Sequence, residues 1–362
     1  MEIQLLSNYC VTPGRLIASQ NYFLMGFHEI PEITITVEPG FGRLFYKLYQ
    51  KKVKGALRSW NLCNSLVYRN CYRQADRAGR YIFNIQGRPV KVVVDVWDDR
   101  EILDQDALAW SDIFFKVNMW PAETYPAKVH PLVNGNGRLN PQKLALLNAL
   151  RGSAKVYDLN FMSVVWFWPN DNRMHNLIEH HVRTFEALSR VDCRKKLLAV
   201  IPSYWPKHSQ RELKNCLARL DRAGVPWQYT WEGVSSEALF KSLAASRIVF
   251  LRPGNALCIS WRMIDLLCLG ACIAYDGLPF PNWPVPLKAG EHFYDCDCRI
   301  TGDYSIPPLE QYRNINAVIE NLLASPQKIE TISANNRAYF DNHATPQKVA
   351  AYILDTVQKA VG

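Results

Sequence analysis

The chain has 362 residues, 48% of them hydrophobic and 21% charged, which suits a folded protein with a sizeable core and excludes a disordered or collagen-like chain. The balance of 42 Lys and Arg against 33 Asp and Glu gives a net charge of +9, so an anionic partner is expected: a nucleotide, a phosphorylated glycan, an anionic membrane surface or a nucleic acid. No apolar run approaches the ~20 residues of a spanning helix, and "MEIQLLSNYC" lacks the basic and apolar regions of a signal peptide. The ten cysteines are scattered and suit a reduced, cytoplasmic protein, with peripheral contact at the membrane face left open.

The first half reads as an irregular α/β region. Ile3–Leu6 is a strand and Arg15–Phe27 a helix. Tyr81–Ile85 and Val90–Val94 flank "QGR", a hairpin turn. Ser111–Val117 and Ser163–Phe167 are further strands, and His175–Leu188 has helical spacing. The charged stretch Arg190–Lys196 is expected to join two lobes.

The second half alternates regularly. Strands are expected at Leu197–Pro202, Pro226–Trp231, Ile248–Leu251 and Cys272–Tyr275. Helices are expected at Gln210–Ala223, Ser235–Ser246 with Ser235 as N-cap, and Ile259–Leu269 closed by Gly270. Short connections between alternating strands and helices imply a parallel sheet covered on both faces, a Rossmann-like lobe. From about Leu309 the chain is mostly helical, including Tyr312–Leu323 and Gln347–Val361. The expected fold class is α/β, with two Rossmann-like lobes, a cleft between them and a helical tail. The expected divisions are 1–190, 197–325, and a tail at 326–362 that packs back toward the first lobe.

Ligands of parallel α/β sheets bind beyond the carboxyl ends of strands. Arg252-Pro253-Gly254 follows such an end. Arg252 offers a planar fork to phosphate oxygens, and Gly254 lets backbone approach a ligand. Ser260 falls near a helix start, where free N–H groups favour an anion. Asp265, further along, can accept both hydroxyls of a ribose. The competing readings are a turn glycine, a helix cap and a local ion pair between Arg262 and Asp265. Ser203, Tyr204, Lys207 and His208 follow the strand Leu197–Pro202, and Lys207 can neutralise a diphosphate or lie on an exposed loop. Asp276 and Gly277 end the next strand.

The stretch "SRIVFLRPGNALCISWRMIDLLCLGACIAYDG" resembles the donor-binding region of GT-B glycosyltransferases, most of all exostosin-like and related bacterial polysaccharide and lipopolysaccharide sugar transferases. The pattern Ser-x-Arg-x-x-acidic stands here as Ser260, Arg262 and Asp265. The resemblance covers about 80 residues, Leu197–Gly277, together with a two-lobe plan. It implies a nucleotide-sugar donor bound by Arg252, Gly254, Ser260, Arg262, Asp265 and Lys207, with no bound cofactor and no required metal. The acceptor implied is a hydroxyl of a glycan or glycolipid. Many retaining members carry a further glutamate ahead of the acidic residue; the matching position here is Leu257.

Such a transfer needs a base for the acceptor hydroxyl. "VKVVVDVWDDRE" runs an apolar strand into Asp95, Asp98 and Asp99, and clustering raises one carboxyl pKa. Asp98 is the first candidate and Asp95 the second, with a solvated polar turn as the alternative. Lys116, on the aromatic strand of "WSDIFFKVNMW" with Asp112 and Phe114 on its face, is expected to balance charge. His28 is a further candidate base, although a lone histidine is more often structural. His180 and His181 diverge on one helix and read as surface or interdomain residues. Asp295-Cys296-Asp297 lacks the further ligands of a metal site. The eleven tryptophans can stack on sugar rings, though most belong in the core. Two rival readings remain. One is a single-stranded nucleic-acid-binding protein, for which the basic run 47–58 is short and unaccompanied by an RNA-binding motif. The other is a non-catalytic two-lobed sugar- or nucleotide-binding protein.

Overall fold

The computed structural model describes residues 1–6, 13–37, 78–137, 139–164, 172–201, 214–215, 218–230, 233–254, 256–277 and 282–361. The chain forms two compact α/β units. Unit 1 takes residues 1–142, 281–286 and 341–362, and unit 2 takes 143–280 and 287–340.

Unit 1 is built on a six-stranded sheet in the order β2-β1-β3-β4-β5-β6. Its strands are β1 (Glu2–Leu5), β2 (Thr34–Val37), β3 (Ala78–Ile85), β4 (Arg88–Asp95), β5 (Ile113–Lys116) and β6 (Val129–Pro131). The hairpin β3–β4 is antiparallel and closes with Ile85 opposite Arg88. Its two loop residues, Gln86 and Gly87, have φ of 50° and 81°, as a type I′ turn demands. β3 also runs antiparallel to β1, whereas β1–β2, β4–β5 and β5–β6 are parallel. Helix α1 (Pro13–His28) places Tyr22, Phe23, Leu24 and Phe27 in the core. Gln20 locks it to the sheet: its Nε2 donates to the Val94 carbonyl at 3.1 Å, and its Oε1 accepts from Tyr81 Oη at 3.0 Å. A short helix α2 (Gln105–Trp110) is capped by Asp104, whose carboxylate accepts from Ala107 N. Helix α3 (Pro141–Ala149) follows β6 and, from Lys143 on, belongs to unit 2.

The last helix, α9 (Pro346–Val361), belongs to unit 1. It packs on α1 so closely that a Cβ on Gly26 would stand 1.9 Å from the Pro346 carbonyl oxygen. Only hydrogen fits there.

Unit 2 has a wholly parallel sheet in the order β9-β8-β7-β10-β11-β12. The strands are β7 (Tyr157–Val164), β8 (Lys195–Val200), β9 (Trp227–Thr230), β10 (Ser246–Leu251), β11 (Cys272–Tyr275) and β12 (Tyr294–Asp295). β10 and β11 are buried along nearly their whole length, which explains their unbroken apolar sequences. Its helices include α4 (Asn172–Arg190), α5 (Ser236–Ala244), α6 (Arg262–Leu269), α7 (Tyr312–Leu323) and α8 (Pro326–Tyr339). Ser235 caps α5, its hydroxyl accepting from Ala238 N, and Gly270 closes α6 at φ 65°. Phe161, Phe185, Phe250, Cys272, Ala274 and Ile319 belong to one core.

The join expected at Arg190–Lys196 lies inside unit 2. The reason is β7: it hydrogen-bonds to β8 on one side and β10 on the other, so the sheet needs it at its centre. The expected tail also divides, since α8 stays with unit 2 and α9 does not. Helix α6 begins at Arg262 rather than Ile259, because the turn at 254–258 precedes it. The expected strand at Ser163–Phe167 overlaps only the end of β7, residues 165–167 lying outside the described residues.

Candidate functional site at the carboxyl edge of the second sheet

With β7 in place, the second sheet is doubly wound. The chain leaves β7 toward β8 and β9, then returns to the other side of β7 through β10, β11 and β12. The reversal lies between β7 and β10, and such a switch point opens a crevice beyond the carboxyl ends of the strands. Arg252 is the first residue beyond β10, Asp276 the first beyond β11, and Ser163 the penultimate residue of β7.

Arg252 is 4% exposed. Its Nε donates to Asp276 Oδ2 at 3.3 Å. Its Nη1 and Nη2, and Asp276 Oδ1, are buried with no hydrogen-bond partner among the described residues. A guanidinium held by one edge thus keeps its two-pronged face unfilled. That is an unusual state for a buried ion pair and a fitting one for an oxyanion receptor. Burial pushes the Asp276 carboxyl up to about 7, against the pull of Arg252.

His180 extends this cluster. Its Nε2 lies 3.4 Å from Asp276 Oδ2, and its Nδ1 bonds the Tyr312 hydroxyl. Burial, reinforced by the nearby charge of Arg252, holds the His180 pKa well below its ordinary value. The neutral ring then accepts from Tyr312 O–H at Nδ1 and donates from Nε2 to Asp276. His181 is also buried: its Nε2 meets Ser163 Oγ at 2.8 Å and its Nδ1 the Leu177 carbonyl at 2.9 Å. It too is held well below the usual histidine range, first by burial and then by Arg252. The surface or interdomain reading of the two histidines is therefore corrected. Adjacent helix residues diverge, and here each direction of divergence is buried against a different part of unit 2.

The other donor-side candidates gather at the same edge. Gly254 N donates to the Cys258 carbonyl at 2.8 Å, and Leu257 N to the Gly254 carbonyl at 3.0 Å. A Cβ on Gly254 would stand 2.5 Å from Cys258 Sγ, so close packing within the turn requires glycine there. Leu257 takes a positive φ of 55° and is buried, an apolar residue within the turn. Ser260 Oγ accepts from Arg262 N at 3.3 Å, and Arg262 Nη1 bonds the Met162 carbonyl, tying the start of α6 to the end of β7. Asp265 lies in the first turn of α6 and is 2% exposed. Lys207, Ser203, Tyr204 and His208 lie outside the described residues, as do Trp166, Trp168, Trp205 and the basic run 47–58.

In unit 1, the acidic cluster stands at the carboxyl end of β4. Asp95 is buried, pairs with Lys116 Nζ at 3.2 Å, and accepts from Trp97 N at 2.8 Å. Burial raises its pKa, and Lys116 opposes the rise. Lys116 also donates to the Asp99 carbonyl at 2.7 Å. Asn118 Nδ2 donates to the Trp97 carbonyl at 3.0 Å, and Tyr125 Oη to the Arg100 carbonyl at 2.8 Å. The loop bearing Asp98 is therefore pinned from below by three side chains, while Asp98 itself is only half-buried. Asp112 is exposed and accepts from Lys91 N at 2.8 Å, apart from that loop. His28 is exposed at the end of α1.

Among the described residues, no group of three or more His, Cys, Asp or Glu stands where it could hold a metal ion, and no helix is long and apolar enough to cross a membrane. The six described cysteines, Cys296 and Cys298 included, are free thiols.

No protein-family model matches the chain, and no curated protein matches it. Among solved structures, it is similar to the HepE protein of Anabaena in complex with UDP-glucose. That alignment has 13% identity and a TM-score of 0.49, covering 99% of this chain and 100% of that one. It is similar to sucrose-phosphate synthase from Thermosynechococcus elongatus at 13% identity and a TM-score of 0.48, covering 71% of this chain and 60% of that one. A glycosyltransferase from Rickettsia africae aligns at 12% identity and a TM-score of 0.44, covering 69% and 63%.

Proposed function

We propose that the protein is a GT-B-type glycosyltransferase that moves a sugar from a nucleotide donor to a hydroxyl of a glycan or glycolipid. The observation that carries this reading is Arg252, emerging at the switch point of a doubly wound parallel sheet with its guanidinium fork unfilled. In this reading the fork and the backbone at Gly254 receive the donor diphosphate. Ser260 and Arg262 order the start of α6 beside it, Asp265 reads the ribose, and Lys207 adds positive charge. The acceptor oxygen attacks the anomeric carbon, the bond to the diphosphate oxygen breaks, and the nucleoside diphosphate leaves with the electron pair. The acceptor proton passes to Asp98, with Asp95 as the alternate and Lys116 balancing charge. Arg252 stabilises the charge that grows on the leaving group, so no metal is required for that role. The chemistry suits a cytoplasmic protein, with the +9 charge favouring contact with an anionic membrane face.

The test is a binding panel of UDP, GDP, ADP, CMP and TDP read by calorimetry, with UDP first as the nucleotide found with HepE. One nucleotide should bind, and Asp265→Ala should weaken it by about 1–3 kcal/mol, the scale of hydrogen bonds to a charged group. Adding the matching nucleotide sugar and acceptor should then release that nucleotide. Binding of single-stranded nucleic acid with no response to any nucleotide would replace this reading.

A further inference from the structure

We infer that Asp276 is a positioning residue for Arg252 and takes up one proton when an oxyanion fills the guanidinium fork, so that anion binding at this edge is coupled to pH. The inference rests on the phosphate role proposed for Arg252.

A buried ion pair that serves only the fold is expected to satisfy its polar atoms, because each one left open costs desolvation. This pair makes a single contact, Nε to Oδ2 at 3.3 Å. It leaves Nη1, Nη2 and Oδ1 without partners among the described residues. The open guanidinium atoms form the side of Arg252 that can grip an oxyanion through two parallel N–H bonds. The open carboxylate oxygen supplies a place for a proton. Oδ1 can be protonated while Oδ2 goes on accepting from Arg252 Nε, so the arginine keeps its orientation.

Charge gives the reason for the proton. Arg252 and an ionised Asp276 together are neutral. A dianion added to them leaves two uncompensated negative charges in a site closed to water, where such charges are costly. One proton on Asp276 halves that excess. No other neighbour of Asp276 serves as well. His180, from α4, already donates to it and is held neutral. Tyr312, from α7, and Tyr275, from β11, are phenols raised by burial. Cys296 and Cys298 are thiols raised by burial, and Arg299 is a positive charge that favours the ionised carboxylate. The Asp276 carboxyl, pushed to about 7, is thus poised to change state at neutral pH.

The probe is sulfate, which does not titrate near neutrality. Its binding is measured by calorimetry between pH 5.5 and 8.5, in paired buffers of different ionisation heat. The parent should take up close to one proton per sulfate near pH 8. Its affinity should be flat below pH 7 and fall about tenfold per pH unit above it. Asp276→Asn keeps the shape without the titration, so it should bind sulfate with neither proton uptake nor slope. Arg252→Lys, which lacks the fork, should lose the sulfate signal, tying it to this site. Sulfate bound by the parent with no proton uptake and a flat profile overturns the coupling and leaves the phosphate role intact. A slope that persists in Asp276→Asn also overturns it. Failure of the parent to bind either sulfate or any nucleoside diphosphate removes the nucleotide reading and the coupling with it.

Discussion

Lys116 Nζ stands 3.2 Å from Asp95 Oδ2, and both side chains are closed to solvent. Each charge is compensated chiefly by the other. Removing one partner leaves a buried ion alone, which typically costs about 3–5 kcal/mol. Lys116→Met should therefore lower stability on that scale, read as a fall in the urea midpoint at unchanged slope. Lys116→Met with Asp95→Leu should recover most of it, because no lone charge remains. A cost below about 1 kcal/mol for the single change would mean that water reaches the pair.

Asp98 projects from the loop that Lys116, Asn118 and Tyr125 hold by its backbone carbonyls. Asp98→Asn should keep the parent's nucleotide affinity while turnover falls ~10²–10⁴-fold, the usual loss with a general base. Turnover within a few-fold of the parent would move the base to Asp95 or His28. NMR of the product anomer would further decide whether a carboxylate here is a base or has another role.

Gly254 has no room for a methyl group, because Cys258 Sγ occupies its place at 2.5 Å. Gly254→Ala should cost about 1–3 kcal/mol, as overpacking does. Adding Cys258→Ala should return part of that loss, with a coupling above about 0.5 kcal/mol in a double-mutant cycle. Additive losses would show that the backbone conformation at 254, and not the thiol, demands glycine.

The buried histidines of unit 2 make its stability depend on acid. His180 and His181 are held neutral well below 6.5, so between their folded values and 6.5 the unfolded chain binds protons that the folded one does not. Stability contributed by each is present above pH 6.5 and lost as pH falls below it. Asp276, raised to about 7, works in the opposite sense from pH 7 down to about 4. Asp276→Asn removes this opposing contribution and should steepen the loss of stability in urea titrations from pH 6 to 5. An unchanged slope would show that Asp276 is already ionised at pH 5 in the folded chain.

The strands β8, β10 and β11 were legible because parallel strands buried on both faces read as short apolar runs. Cys272–Tyr275 matches β11 residue for residue. The turn at Gln86-Gly87 and the caps at Ser235 and Gly270 were legible for local steric reasons. What escaped was β7, whose polar-interrupted "YDLNFMSV" was missed except for its last two residues, and with it the central pairing to β8 and β10 that sets the switch point. The same limit hid the cluster around Asp276. His180, Arg252, Asp276 and Tyr312 come from four elements, and only folding brings them together. A pair of histidines on an otherwise amphipathic helix was the one available signal, and divergence on the helix suggested exposure instead of burial.

The return of α9 to unit 1 sets an order on the chain's synthesis. The place on α1 that α9 fills, with Gly26 against Pro346, cannot be occupied until residues 341–361 have left the ribosome. By then all of unit 2 has emerged. The unit translated first is thus the unit completed last, and the apolar side of α1 must wait uncovered while its neighbour forms. A chaperone that binds nascent chains should crosslink to α1 around Tyr22 and Gly26 throughout translation of unit 2, and release it only when α9 arrives.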